Sequence, residues 1–138
     1  MQESSLPAKV LVNGTFDIIH RGHIEMLNYA KDQGDFLLVA IDTDRRVKEL
    51  KGSSRPVNNQ WDRMFMLDNL RAVDSVRFFD SDQDLIDIIN SYQPDIMVKG
   101  SDYRGQPILG EHLIKEIKFY DRVEPYSTTN TIQRIADR

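Results

Sequence analysis

The run Phe36-Leu37-Leu38-Val39-Ala40-Ile41 constrains what this chain can fold into more than any other stretch. Its lack of any polar break fits a strand covered on both faces, and such strands belong to parallel sheets whose crossover helices supply the cover. A second apolar run, Val10-Leu11-Val12, lies upstream. Between the two, the residue spacing predicts a helix over 22–33, with Ile24, Leu27, Tyr29 and Ala30 on its buried side and Gly34 as its C-terminal cap. Strand, helix and strand at this spacing form a right-handed crossover unit.

The alternation continues down the chain. Strands are expected at 9–13, 35–42, 75–79, 95–99 and within 118–125. Helices are expected from Thr43 or Asp44 to about Leu50, then at 60–72, 83–91, 111–117 and 129–137. In the 60–72 segment Trp61, Met64, Phe65, Leu67 and Leu70 are expected to face inward. The class is therefore α/β, with a mainly parallel five-stranded sheet flanked by helices. At 138 residues the chain fits one domain with a real core, here expected over 9–138 behind a flexible tail at 1–8.

Composition removes several function classes. There is no cysteine, hence no disulfide framework and no thiolate metal site. A net charge of -4 argues against a nucleic-acid partner. No apolar run is long enough for a membrane span, and the polar N-terminus has no signal-peptide core, so the expectation is a cytoplasmic protein with no membrane partner.

Open parallel sheets build ligand sites in the loops after their strands. The first strand leads into Asn13-Gly14-Thr15-Phe16-Asp17-Ile18-Ile19-His20-Arg21-Gly22-His23. His20 and His23 sit three apart at a helix start and share a face. Free amides at that end favour phosphate, and Gly22 leaves room for one between the imidazoles. The pair taken alone also fits two solvated histidines at a helix cap. After the second strand come Asp42 and Asp44, then Lys48, Lys51 and Arg55 around Gly52. These cations suit a phosphate-bearing substrate, or simply a solvated basic loop. Arg63 follows on the next helix, and Lys99, Gly100 and Asp102 close the fourth strand. Ser127, Thr128 and Thr129 precede the last helix, where hydroxyls cap it and its amides can meet a polyphosphate. The acidic residues are dispersed and suggest no metal cage.

The stretch 13–23 resembles the signature of the nucleotidyltransferase superfamily with the His-x-Gly-His motif, in its cytidylyltransferase-like form Gly-Thr-Phe-Asp-x-x-His-x-Gly-His. Three further stretches, Leu50 to Asn58, Val98 to Tyr103 and Ser127 to Ile132, are similar to those of bacterial heptose 1-phosphate adenylyltransferases, the nucleotidyl-transferring half of ADP-heptose synthesis enzymes.

The resemblance implies a single Rossmann-like nucleotidyltransferase domain. Its reaction would move a nucleoside monophosphate from a nucleoside triphosphate to a sugar phosphate with release of pyrophosphate, ATP and heptose 1-phosphate giving ADP-heptose. A cytidylyltransferase using CTP and glycerol 3-phosphate is one alternative, and a non-catalytic nucleotide-binding module another. By the same resemblance His20 and His23 are catalytic, with Lys48 or Lys51 steadying charge. Gly14, Thr15, Phe16, Gly22, Arg63, Lys99, Gly100, Asp102, Ser127, Thr128 and Thr129 would serve the nucleotide, and Asp17, Asp42 and Arg55 the acceptor. Magnesium would ride mainly on the nucleotide phosphates. The partners implied are small molecules and a second copy of the chain.

Overall fold

A computed structural model describes residues 7–121 and 128–137. The chain runs β1 (Lys9–Gly14), α1 (Arg21–Asp32), β2 (Phe36–Asp42), α2 (Asp44–Lys51), α3 (Gln60–Asp68), β3 (Ser75–Phe79), α4 (Asp82–Tyr92), β4 (Ile96–Gly100), β5 (Glu116–Tyr120) and α5 (Thr128–Ala136). The five strands form one sheet in the order β3-β2-β1-β4-β5, and every neighbouring pair is parallel. The chain winds outward from β1 in one direction and then returns to β1's other side. The switch point therefore lies between the C-terminal ends of β1 and β4, where open α/β sheets place their ligands.

The uninterrupted apolar strands are buried as their composition requires. Val10, Leu11, Val12 and Leu37 to Ile41 are each no more than 2% exposed. Alternate residues feed two cores. Val10, Val12, Leu37 and Val39 pack with Leu27 and Ala30 of α1 and Leu67 of α3. Leu11, Leu38 and Ala40 pack on the other face with Leu85, Ile88 and Ile89 of α4. Side-chain caps start the helices, as at Thr43 before α2, Asn59 before α3 and Ser81 before α4.

Four expectations are corrected. The residue capping α1 is Gln33 in a right-handed conformation, and Gly34 is instead required by crowding, since a Cβ there would meet the Ala8 carbonyl oxygen at 2.8 Å. Ile24 is exposed, while Leu27 and Ala30 are buried. α3 stops at Asp68 and turns Arg63 and Leu67 inward, so Trp61 and Phe65 point outward, each 65% exposed. Finally, 111–117 is not a helix. A single 3-10 turn, Glu111–Leu113, gives way to β5, because Ile117 and Phe119 alternate onto the α4 side of the sheet. Within the expected tail, Ala8 is tied to Asp35 by hydrogen bonds in both directions.

Candidate active site

The chain leaves β1 through a tight loop shaped by Gly14 and Phe16. Phe16 has φ 53°, in the left-handed region, and its ring folds back against Gly14. A Cβ at Gly14 would meet that ring at 3.1 Å, so this glycine makes room for Phe16. Phe16 in turn lies 5.1 Å from the His23 ring.

His20 is the N-cap of α1, and its Nδ1 accepts from the Gly22 amide at 3.1 Å. His23 answers from the third helical position, where its Nδ1 accepts from the His20 amide at 3.2 Å. This is a capping box built from two imidazoles. An Nδ1 that accepts from an amide carries no proton, so the ring proton resides on Nε2 in both residues. The rings stack at 3.9 Å between centroids and 21° between planes. Two parallel donors are thus fixed at a helix N-terminus, where the helix dipole already favours anions.

Both rings line a cleft of about 300 Å³ over the ends of β1 and β4, at the small end for a small-molecule site. Cations stand on its walls. Lys51, the last residue of α2, donates to Thr15 Oγ1 at 3.1 Å. Burial of its ammonium and the neighbouring Arg55 pull its pKa below the ordinary lysine value. Arg55 lies beside Asp17, Nε to Oδ2 3.5 Å. Lys99 is only 9% exposed, with Nζ 3.5 Å from Asn13 Oδ1 and 4.2 Å from the Tyr103 ring centroid. It has no salt bridge among the described residues, and burial lowers its pKa as well.

The cleft gathers Gly14, Thr15, Phe16, Asp17, His20, Gly22, His23, Lys51, Arg55, Lys99, Gly100 and Asp102 from the sequence-based set. Among the described residues, Lys48, Asp42 and Arg63 of that set do not line it. Lys48 is exposed on α2 and does not line the cleft. Asp42 turns to Arg46, with Nε to Oδ2 at 3.0 Å. Arg63, 1% exposed, donates to the carbonyls of Asn58, Thr15 and Asp42 and to the Asp44 carboxylate, all within 3.0 Å. Four of its five N–H donors are thus taken by the protein, and the guanidinium bolts together the loops around the cleft. Thr128 and Thr129 open α5, and Ser127 lies outside the described residues.

Asn13, Met26, Tyr103 and Tyr120 also line the cleft and were not picked out from the sequence. Asn13 is the next-to-last residue of β1 and Tyr120 the last of β5, so the crevice rule marks them once the ends of those strands are placed. Tyr103 adjoins Asp102, and Met26 follows only from the helix facing. Among the described residues no group of three or more His, Asp or Glu could hold a metal ion. Asp17 and Asp42, the two carboxylates nearest the histidines, are engaged by amides and by arginine.

The model of the cytidylyltransferase-like family matches residues 11–134. The bifunctional protein HldE of Campylobacter fetus is 50% identical over 126 residues, covering 91% of this chain. HldE of Campylobacter concisus is 45% identical over 128 residues, covering 93%. The chain spans 27% of the length of each of these relatives. Among solved structures, the lipopolysaccharide core biosynthesis protein of Thermoplasma volcanium superposes with TM-score 0.71 over 85% of this chain and 99% of that one. At 24% identity that likeness concerns the fold.

Proposed function

The chain belongs to the cytidylyltransferase-like family of nucleotidyltransferases, and on that premise we propose that it joins ATP and heptose 1-phosphate into ADP-heptose with release of pyrophosphate. The observation that carries the chemistry is the stacked His20–His23 pair, whose Nδ1 atoms are held by backbone amides. The substrate reading rests on the loops at 50–58 and 98–103 and on the 50% identity with an HldE protein.

The acceptor phosphate is already a nucleophile, so the reaction needs no serine or cysteine. One of its oxygens attacks the α-phosphorus of ATP, and pyrophosphate leaves in line. The protein's part is positioning and stabilisation of charge. His20 and His23 donate from Nε2 to oxygens of the phosphoryl group being transferred. Lys51 steadies the developing charge from one wall, Lys99 holds the nucleotide on the other, and Arg55 takes the acceptor phosphate. Magnesium arrives with the nucleotide phosphates, and no step is assigned to a protein-held metal. The protein acts as a homodimer. The apolar outer face of α3, with Trp61, Phe65 and Met66 all more than half exposed, supports this. Exposed Asp62, Asp68, Arg71 and Arg77 give its surroundings both signs of charge, as a self-complementary contact needs.

The test is pyrophosphate release with magnesium and ATP or CTP, crossed with heptose 1-phosphate and glycerol 3-phosphate. Turnover with ATP and heptose 1-phosphate is expected. Turnover only with CTP and glycerol 3-phosphate would move the protein to the cytidylyltransferase branch. Nucleotide binding without turnover on any acceptor would indicate a binding module.

A further inference from the structure

Asp17 sits at the wall of the cleft, yet its side chain is only 1% exposed and both its oxygens are engaged. Oδ2 accepts from the Val57 amide and Oδ1 from the Asn58 amide, each at 2.8 Å. The Asn58 side chain returns a bond to the Asp17 carbonyl, also 2.8 Å. Arg63 secures the same seam from behind, donating to Thr15 O and Asn58 O at 3.0 Å. The loop after α2 is thereby clamped to the loop that carries the histidines.

Arg55 lies two residues before Val57. Its Nε is 3.5 Å from Asp17 Oδ2, and this buried atom makes no hydrogen bond among the described residues. The amides hold the Asp17 oxygens, so charge attraction alone draws the guanidinium to the wall. An anion in the cleft can therefore compete for it. We infer that Asp17 is a positioning residue for Arg55, holding a preformed site for the dianionic phosphate of a phosphate ester. Asp17 acts on the acceptor through Arg55 and the clamped loop, without binding it. This rests on the reading of Arg55 as the acceptor's ligand.

Inorganic phosphate and heptose 1-phosphate are titrated calorimetrically into the wild-type chain, Asp17→Asn, Arg55→Gln and the double variant. Each single change is expected to weaken phosphate binding about tenfold, and the double variant is expected to be no weaker than Arg55→Gln alone, as for directly coupled residues. In turnover, the KM for the acceptor rises more than the KM for ATP. Multiplicative losses in the double variant, or a rise confined to the KM for ATP, overturn the inference. If Asp17→Asn does not fold, Asp17→Glu keeps the charge but displaces it by one methylene, and the same acceptor-selective loss is expected. If wild type turns over no sugar phosphate while the phosphate cycle still shows coupling, the proposed function fails and the positioning role stands.

Discussion

The rings of His20 and His23 lie 3.9 Å apart, and each accepts a backbone amide of the same helical turn through Nδ1. One arrangement therefore caps α1 and orients two donors. The two roles separate by mutation. His20→Ala removes the N-cap and is expected to destabilise the protein by about 1 kcal/mol. His20→Asn, which restores a good cap, is expected to recover most of that stability in thermal melts without recovering turnover. If asparagine restored both, the imidazole would have only a capping role.

Arg63 is expected to be a stability residue. Its side chain is 0% exposed and its donors meet three carbonyls and a carboxylate. Arg63→Ala strips four bonds from largely enclosed acceptors, the Asp42 carbonyl fully buried among them, and is expected to cost about 3 kcal/mol, read by denaturant unfolding. Arg63→Lys is expected to rescue little, since one ammonium cannot span the fork. Unchanged stability with a large rise in the KM for ATP would make it a phosphate ligand instead.

Lys99 sets a pH dependence. Burial lowers its pKa below 10.5, so the folded chain holds this proton less tightly than the unfolded chain. The unfolded state then binds more protons, and stability contributed here rises with pH between the folded pKa and 10.5. Lys99→Met is expected to flatten that rise and to stabilise the ligand-free protein at neutral pH. It is also expected to weaken ATP binding, which in the wild type falls as pH rises and Lys99 loses its charge. Melts and ATP titrations across alkaline pH check both signs. A variant less stable at neutral pH would show that Lys99 is satisfied without ligand.

Much of this was legible from residue order, for identifiable reasons. The run Phe36 to Ile41 fixed a doubly covered strand, and the His-Arg-Gly-His spacing fixed both imidazoles at one helix start. The inward turn of Arg63 was not legible because a guanidinium on a helix looks the same in sequence whether it faces phosphate or the carbonyls of the loops around it. Trp61 and Phe65 face outward because Arg63 and Leu67 take the inner positions of a nine-residue helix. Tyr120 stayed hidden because the last strand was expected only somewhere within 118–125, and it is the pairing with β4 that sets its C-terminal end at Tyr120.

The outer face of α3 tests the homodimer. Phe65→Glu is expected to lower the solution mass to that of one chain by analytical ultracentrifugation while leaving the melting of the monomer nearly unchanged. Phe65 is 65% exposed, so little packing within the chain is lost. A wild-type protein that sediments as one chain would remove the proposal.

The most direct measurement is the rate of pyrophosphate formation by wild type and His23→Ala at saturating ATP and heptose 1-phosphate. A preorganised donor to the transferring phosphoryl group is worth about a hundred- to a thousandfold in turnover, and a loss of that size is predicted. A His23→Ala variant that turns over like the wild type would contradict the role of the paired imidazoles.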